Sequence, residues 1–214
     1  MGAYDFEPSM ASRDFRACGD LFQLIAAGER PDLLVIGPAA PLVPVLKSRP
    51  DLGDWVGRVY LMGGALRDNN VPPLAEFNFW FDPEAAEALL ASGLPITLLP
   101  IDLVRHLHYS RDFADRLGPD HVLARHVRTS VEHPEWITVC DEVLAAAVIE
   151  PRLVLERRSL RLSVETSPGP RYGVVTILDD RAERSPIDVI ERIDEAAFWG
   201  AAESALGSRK AGAR

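Results

Sequence analysis

Three short apolar runs, each leading into a pattern typical of a helix, constrain the fold of this chain most strongly. Such runs suit strands that are buried on both faces, and strand–helix alternation is typical of a parallel sheet. We therefore predict an α/β fold, a mostly parallel sheet with helices on both faces. Ligands bind such sheets at the carboxyl ends of the strands, which indicates Gly37, residues 62–65 and Asp102. The runs are LLVIG at 33–37, VYLMGG at 59–64 and PITLLPID at 95–102.

Helix signals lie between and after these runs. Asp82 is suited to cap a helix, Pro83 to occupy its first position and Gly93 to follow its end. Residues 161–166 and 172–178 predict a pair of strands around the turn SPGP. Further helices are predicted at 12–28, at 41–48, over much of 110–150 with a break at His133, and at 186–206.

Charge and composition exclude several classes of partner. The formal net charge of −9 argues against a surface for nucleic acid or for an anionic membrane, since both require clustered Lys and Arg. No apolar run reaches the roughly 18 residues of a membrane span, and the first ten residues lack the apolar region of a signal peptide. Two cysteines, Cys18 and Cys140, suit a reduced, cytoplasmic compartment. We expect a frayed start at 1–11, one domain at 12–206 and a tail at 207–214.

The richest constellation of polar residues follows the second apolar run. Gly63 and Gly64 would let the backbone approach a ligand without obstruction by a Cβ atom. Asn70, Glu76 and Asn78 then supply groups suited to paired hydrogen bonds with neighbouring hydroxyls. Taken alone, such a loop is more typical of ordinary turn chemistry.

The whole string is more specific than its parts. Met62-Gly63-Gly64, then Ala75-Glu76-Phe77-Asn78, then Asp82-Pro83-Glu84-Ala85-Ala86, resembles the calcium-dependent, inosine- and uridine-preferring nucleoside hydrolase family. Flanking segments resemble the same family, so that the resemblance extends over roughly residues 12–180. These segments are LVIGP at 34–38, LPITLLPID at 94–102, CDEVLAAAVIEP at 140–151 and LSVET at 162–166.

The resemblance implies hydrolysis of the N-glycosidic bond of ribonucleosides, with ribonucleoside or ribose as the ligand. It implies that Asn70, Glu76 and Asn78 bind ribose hydroxyls, and that Met62 and Phe77 line the sugar. It also implies calcium as cofactor. The ligands would be Asp141, which also meets a sugar hydroxyl, and the backbone carbonyl of Ile36, oxygen donors of the kind that calcium prefers.

Two departures from the family pattern bear on catalysis. The Asp-x-Asp-x-x-x-Asp-Asp motif, which supplies most calcium ligands and the base in the family, does not occur in the sequence. The family also usually has His before the aspartate that Asp141 matches, where this chain has Cys140. We interpret Cys140 as a small buried apolar residue. His121 or His126 could replace the missing acid, although a solvated helix face is the simpler interpretation, and no catalytic residue is assigned.

These departures leave two hypotheses. The first is a ribonucleoside hydrolase with an N-terminally shortened fold, active only when another segment completes it. The second is a non-catalytic, degenerate domain that binds a sugar or serves in assembly. A missing central strand would leave unpaired edges, so we expect a homo-oligomer or association with a complementing N-terminal segment.

Overall fold

The computed structural model describes residues 30–67, 71, 74–130, 133 and 137–207. The predicted helix at 12–28, the predicted start at 1–11 and, apart from Gly207 in the last helix, the predicted tail at 207–214 lie outside these residues. The strands are β1 Leu33–Val35, β2 Val59–Met62, β3 Ile96–Leu99, β4 Val154–Leu160, β5 Leu162–Val164, β6 Val175–Ile177 and β7 Ile187–Ile193. The α-helices are α1 Val43–Ser48, α2 Leu52–Trp55, α3 Phe77–Phe81, α4 Pro83–Leu90, α5 Ile101–Val104, α6 Arg111–Leu117, α7 Val122–Thr129, α8 Cys140–Ile149 and α9 Glu195–Gly207.

A five-stranded sheet in the order β1-β2-β3-β7-β4 forms the centre of the described chain. The first four strands in this order are parallel, and β4 pairs antiparallel with β7. Strands β5 and β6 form a separate antiparallel pair. The prediction of a mostly parallel α/β sheet is therefore confirmed.

Alternation along β2 divides the core into two layers. Val59 and Leu61 point to the face covered by α1, α2, α3 and α4, together with strands β5 and β6. Met62 and Tyr60 point to the opposite face, which α5 to α9 cover. Because successive side chains of a strand point to opposite faces, one short apolar strand stabilises both layers. Helices lie on both faces, as the sequence predicted.

Several local predictions are confirmed. Helix α4 begins at Pro83, where the Asp82 side chain accepts a hydrogen bond from the N–H of Ala85 at 2.9 Å. All four residues of β3 are buried. The predicted pair at 161–166 and 172–178 is the β5–β6 pair, with Leu162 opposite Ile177.

Three expectations differ from the structure. The predicted helix at 186–206 begins only at Glu195, because Ile187–Ile193 forms β7 between β3 and β4. Strand β4 was not predicted, since its charged sequence VLERRSL carries little apolar pattern. The expectation that 33–37 is buried on both faces is wrong, because Leu34 remains 43% exposed on a strand that pairs with only β2 among the described residues.

The β5–β6 pair is joined to the helical layer by one ion pair. Arg184 contacts Glu87 of α4 and also donates to the carbonyl of Leu162. Glu87 in turn accepts from the backbone N–H of Val164 at 2.8 Å. The two groups are largely shielded from solvent, so the pair fixes this hairpin on α4.

Within the described residues, no helix has the length and hydropathy of a membrane span.

Gly173 allows the chain before β6 to approach α3 closely. Its φ is +80°, and a Cβ atom at this position would lie 2.7 Å from the Cα of Trp80. Backbone cannot move away as a flexible side chain can. Only glycine therefore satisfies both the dihedral angle and the close approach.

We expect Gly173→Ala to lower the free energy of unfolding by about 2–5 kcal/mol, because strained φ and a backbone clash act together. The matched control is Gly93→Ala, where φ is +76° and the atom nearest to an added methyl group is Oγ of Ser185 at 3.9 Å. It should cost only about 1–2 kcal/mol. Urea unfolding of both variants measures the difference. Equal losses would show that the contact with Trp80 does not constrain the fold.

Candidate functional site

Two glycines at the carboxyl end of β2 form the floor of the candidate site. A Cβ atom at Gly63 would lie 2.5 Å from Cε1 of Phe79, and one at Gly64 would lie 3.1 Å from its Cε2. Gly64 also has a φ of +70°. The ring of Phe79, which is fully buried, therefore packs directly on backbone that can carry no side chain. The sequence pattern indicates the two glycines, whereas the contact with Phe79 depends on the folded structure.

Glu76 connects this glycine turn to α3. Its carboxylate accepts hydrogen bonds from the N–H groups of Asn78 at 2.9 Å, Phe79 at 3.2 Å and Gly64 at 2.8 Å. The first two cap the helix, and the third reaches back to the strand end. Glu76 is only 2% exposed. It is thus a buried carboxylate whose three partners are all backbone donors.

Burial raises the pKa of Glu76 above its ordinary value, because a desolvated carboxylate is less stable when charged. The three backbone N–H groups lower the pKa, whereas the negative charge of Asp141 raises it further. Burial is the largest of these effects. The influence of Asp141 also places that residue within electrostatic range of Glu76.

Asn78 and Met62 are in direct contact. The side-chain nitrogen of Asn78 donates to the carbonyl oxygen of Met62 at 3.2 Å and lies 3.4 Å from its sulfur. Both residues are buried. The side-chain oxygen of Asn78 takes part in neither contact. Met62, Glu76 and Asn78 therefore form one connected cluster at the end of β2.

Helix α8 presents Cys140 and Asp141 at its beginning. The pKa of Asp141 is raised, first by burial and then by the nearby charge of Glu142. Burial, together with Asp141, Glu76 and Glu142, raises the pKa of the Cys140 thiol to about 12. Cys140 packs against the core layer beneath α8. The interpretation of Cys140 as a small buried apolar residue therefore agrees with the structure in its packing, whereas the residue is only half-buried.

Of the three remaining predicted site residues, the structure describes Ile36 and Phe77. Ile36 follows β1, whose register with β2 pairs Val35 with Leu61 and so brings Ile36 alongside Met62. Phe77 is 42% exposed, and its ring lies 5.9 Å from that of Phe81. Asn70 lies outside the described residues.

The two candidate acids are His121, which precedes α7, and His126, which lies within it. His121 caps the helix by accepting from the N–H of Leu123 at 3.3 Å. His126 is exposed, and Ser130 lies 3.5 Å from its ring nitrogen. These contacts suit the solvated helix face that the sequence suggested. In the part of the chain that the structure describes, no group of three or more His, Cys, Asp or Glu side chains could hold a metal ion.

A known protein is similar to part of this chain. A pyrimidine-specific ribonucleoside hydrolase, RihA, of Escherichia coli (strain SMS-3-5 / SECEC) is 35% identical over 98 residues, which are 45% of this chain and 32% of that protein. The chain thus matches about a third of the length of this relative.

Solved structures share the fold. A plant nucleoside hydrolase, PpNRh1, superposes with a TM-score of 0.79 at 20% identity, over 90% of this chain and 67% of that one. A purine-preferring ribonucleoside hydrolase from Gardnerella vaginalis gives a TM-score of 0.77 at 21% identity, over 91% and 66%. Finally, residues 3–200 match the family described as inosine-uridine preferring nucleoside hydrolase. The chain therefore belongs to the inosine-uridine preferring nucleoside hydrolase family.

Proposed function

We propose that this chain binds the ribose of ribonucleosides at the carboxyl end of β2 and takes part in hydrolysis of their N-glycosidic bond. The observation that carries the proposal is the connected cluster of Met62, Glu76 and Asn78, with Asp141 in electrostatic range. The family resemblance implies that all four contact the sugar, and hydrogen bonds join the first three of them in the fold. Asn70 is proposed as a further ligand of the ribose hydroxyls, and Phe77 as a wall beside the sugar.

The charge of the cluster suits the chemistry of this reaction. Breaking the bond between the base and C1′ develops positive charge on the sugar, while the oxygen of water forms the new bond to C1′. Fixed negative groups stabilise such charge best when they are already oriented. Glu76 is oriented by three backbone donors, and Asp141 adds a second acidic group in the first turn of α8.

Cys140 does not supply the proton that the departing base requires. A thiol with a pKa of about 12 is a far weaker acid than the imidazolium that the family usually has there. Proton donation must therefore come from another group or from solvent. The proposed reaction consequently suits leaving bases that depend least on protonation by the residue at position 140.

The calcium expected from the resemblance does not fit the described donors alone. Asp141 and the carbonyl of Ile36 are two oxygen ligands, whereas Ca²⁺ takes about six to eight. We propose these two as part of a calcium site whose other oxygens come from residues outside the described ranges or from another chain. Bound calcium would hold the sugar hydroxyls and the attacking water.

Calorimetric titration of the full chain with uridine and with inosine, each with and without calcium, tests the proposal. Asp141→Asn should weaken binding about tenfold or more, equivalent to about 1.4 kcal/mol, because it removes a charged acceptor from the site. The matched control is Asp112→Asn, an acidic residue in the first turn of α6 and likewise at the start of a helix. The affinity of the Asp112→Asn variant for each ribonucleoside should stay within about twofold of that of the wild type.

Release of free base and ribose, measured on the same samples, separates the two hypotheses. Binding accompanied by turnover supports the hydrolase. Binding without turnover, even with calcium, supports the alternative of a non-catalytic sugar-binding domain, which the absent Asp motif and Cys140 favour. A wild-type chain that binds neither ribonucleoside under any of these conditions would contradict the proposal itself.

The buried carboxylate gives a separate prediction. Glu76→Gln should lower the free energy of unfolding by about 1–3 kcal/mol, because the amide nitrogen of Gln cannot accept from backbone N–H groups. Glu183→Gln, at an exposed position between β6 and β7, is the control and should change stability by less than about 0.5 kcal/mol. Denaturant unfolding of both variants provides the comparison. A neutral Glu76→Gln would show that its three hydrogen bonds contribute little to the fold.

A further inference from the structure

Asp102 contacts the backbone that directly follows the glycine turn. It lies in α5, directly after the carboxyl end of β3. Its Oδ2 accepts from the N–H of Leu66 at 2.6 Å, and its Oδ1 accepts from the N–H of Arg67 at 2.7 Å. Both carboxylate oxygens are thus used on two consecutive backbone groups. Such paired, charge-assisted bonds fix the orientation of the segment as well as its position.

Further backbone bonds join the same segment to β3. The N–H of Gly63 donates to the carbonyl of Leu99 at 3.2 Å, and the N–H of Ile101 donates to the carbonyl of Gly64 at 3.0 Å. On the other side, the N–H of Gly64 donates to Glu76. Residues 63–67 are therefore fixed between two carboxylates, with Glu76 at the beginning and Asp102 at the end.

We propose that Asp102 is a positioning residue of the ribose site, which it serves by fixing the course of residues 63–67. This rests on the proposed function, because the segment begins next to Met62 and its Gly64 donates to the carboxylate of Glu76, and both of these residues are proposed to lie at the ribose. Asp102 itself contacts the backbone of Leu66 and Arg67 rather than the sugar. Its action on the ligand is indirect.

A fixed course matters because the segment is short and begins with two glycines. Glycine loses more backbone freedom on folding than other residues, so residues 63–67 are costly to order. A binding loop that is ordered beforehand does not spend binding free energy on its own ordering. Loss of the Asp102 acceptors should therefore weaken ligand binding more than it weakens the fold.

Asp102→Asn is the informative variant, since it preserves size while it replaces one acceptor oxygen by a donor group. The matched control is Asp179→Asn, because Asp179 also accepts from a backbone N–H, that of Arg181 at 2.8 Å, in a turn after β6. Two quantities are measured on both full-length variants. One is the hydrogen-exchange rate of the Leu66 and Arg67 amides, and the other is the affinity for uridine and inosine at a temperature where each protein is folded.

Asp102→Asn should speed exchange of both amides about tenfold or more and weaken binding to a similar degree, whereas Asp179→Asn should change neither. Unchanged exchange at Leu66 and Arg67 would overturn the proposal. Faster exchange with wild-type affinity would overturn it as well, because a purely structural residue gives that result. A wild-type chain that binds neither ribonucleoside would refute the proposed function and the positioning role together, whereas the two results above refute the positioning role alone.

Discussion

The hydrogen bonds of one buried carboxylate connect the parts on which the candidate site depends. Glu76 accepts from the strand-end turn and from the first turn of α3, so that β2 and the following helix share a single acceptor. Burial of a carboxylate is unfavourable unless its oxygens are satisfied, and here backbone donors satisfy them. The aromatic ring of Phe79 then packs on Gly63 and Gly64, which excludes any larger residue there. Fold and site therefore depend on the same few contacts.

The structure shows Glu76 as a helix cap, at a position for which the resemblance implies a contact with the sugar. Glutamate is an unusual capping residue, since Ser, Thr, Asp and Asn are preferred. Its longer side chain is what allows one carboxylate to reach both the helix and the turn. A shorter acidic residue would cap the helix but would not extend as far toward Gly64.

Local sequence predicted the parallel strands and the helix at Pro83 because their signals lie within a few residues of each other. Strand β7 escaped prediction, since Ile187, Ile190 and Ile193 recur at a spacing that also suits a helix. These residues form a strand because they pair with β3 on one side and with β4 on the other, and the local sequence shows neither pairing. The hydrogen bond from the N–H of Leu66 to Asp102 could not be predicted from local sequence either, because 36 residues separate the two. The electrostatic proximity of Asp141 to Glu76 likewise required the tertiary structure.

The two outer strands of the described sheet are chemically unlike. Among the exposed residues 155–159 of β4, Leu155 is apolar and Glu156, Arg157 and Arg158 are charged, whereas the exposed side chains around β1 include the apolar Leu34 and Ile36. Charged side chains discourage a strand edge from pairing with another chain, and apolar ones do not. The charged side chains of β4 therefore protect one edge of the described sheet from pairing with another chain, whereas the apolar side chains around β1 do not protect the other. Self-association of this protein should accordingly respond to salt through the β4 edge and to mild detergent through the β1 edge.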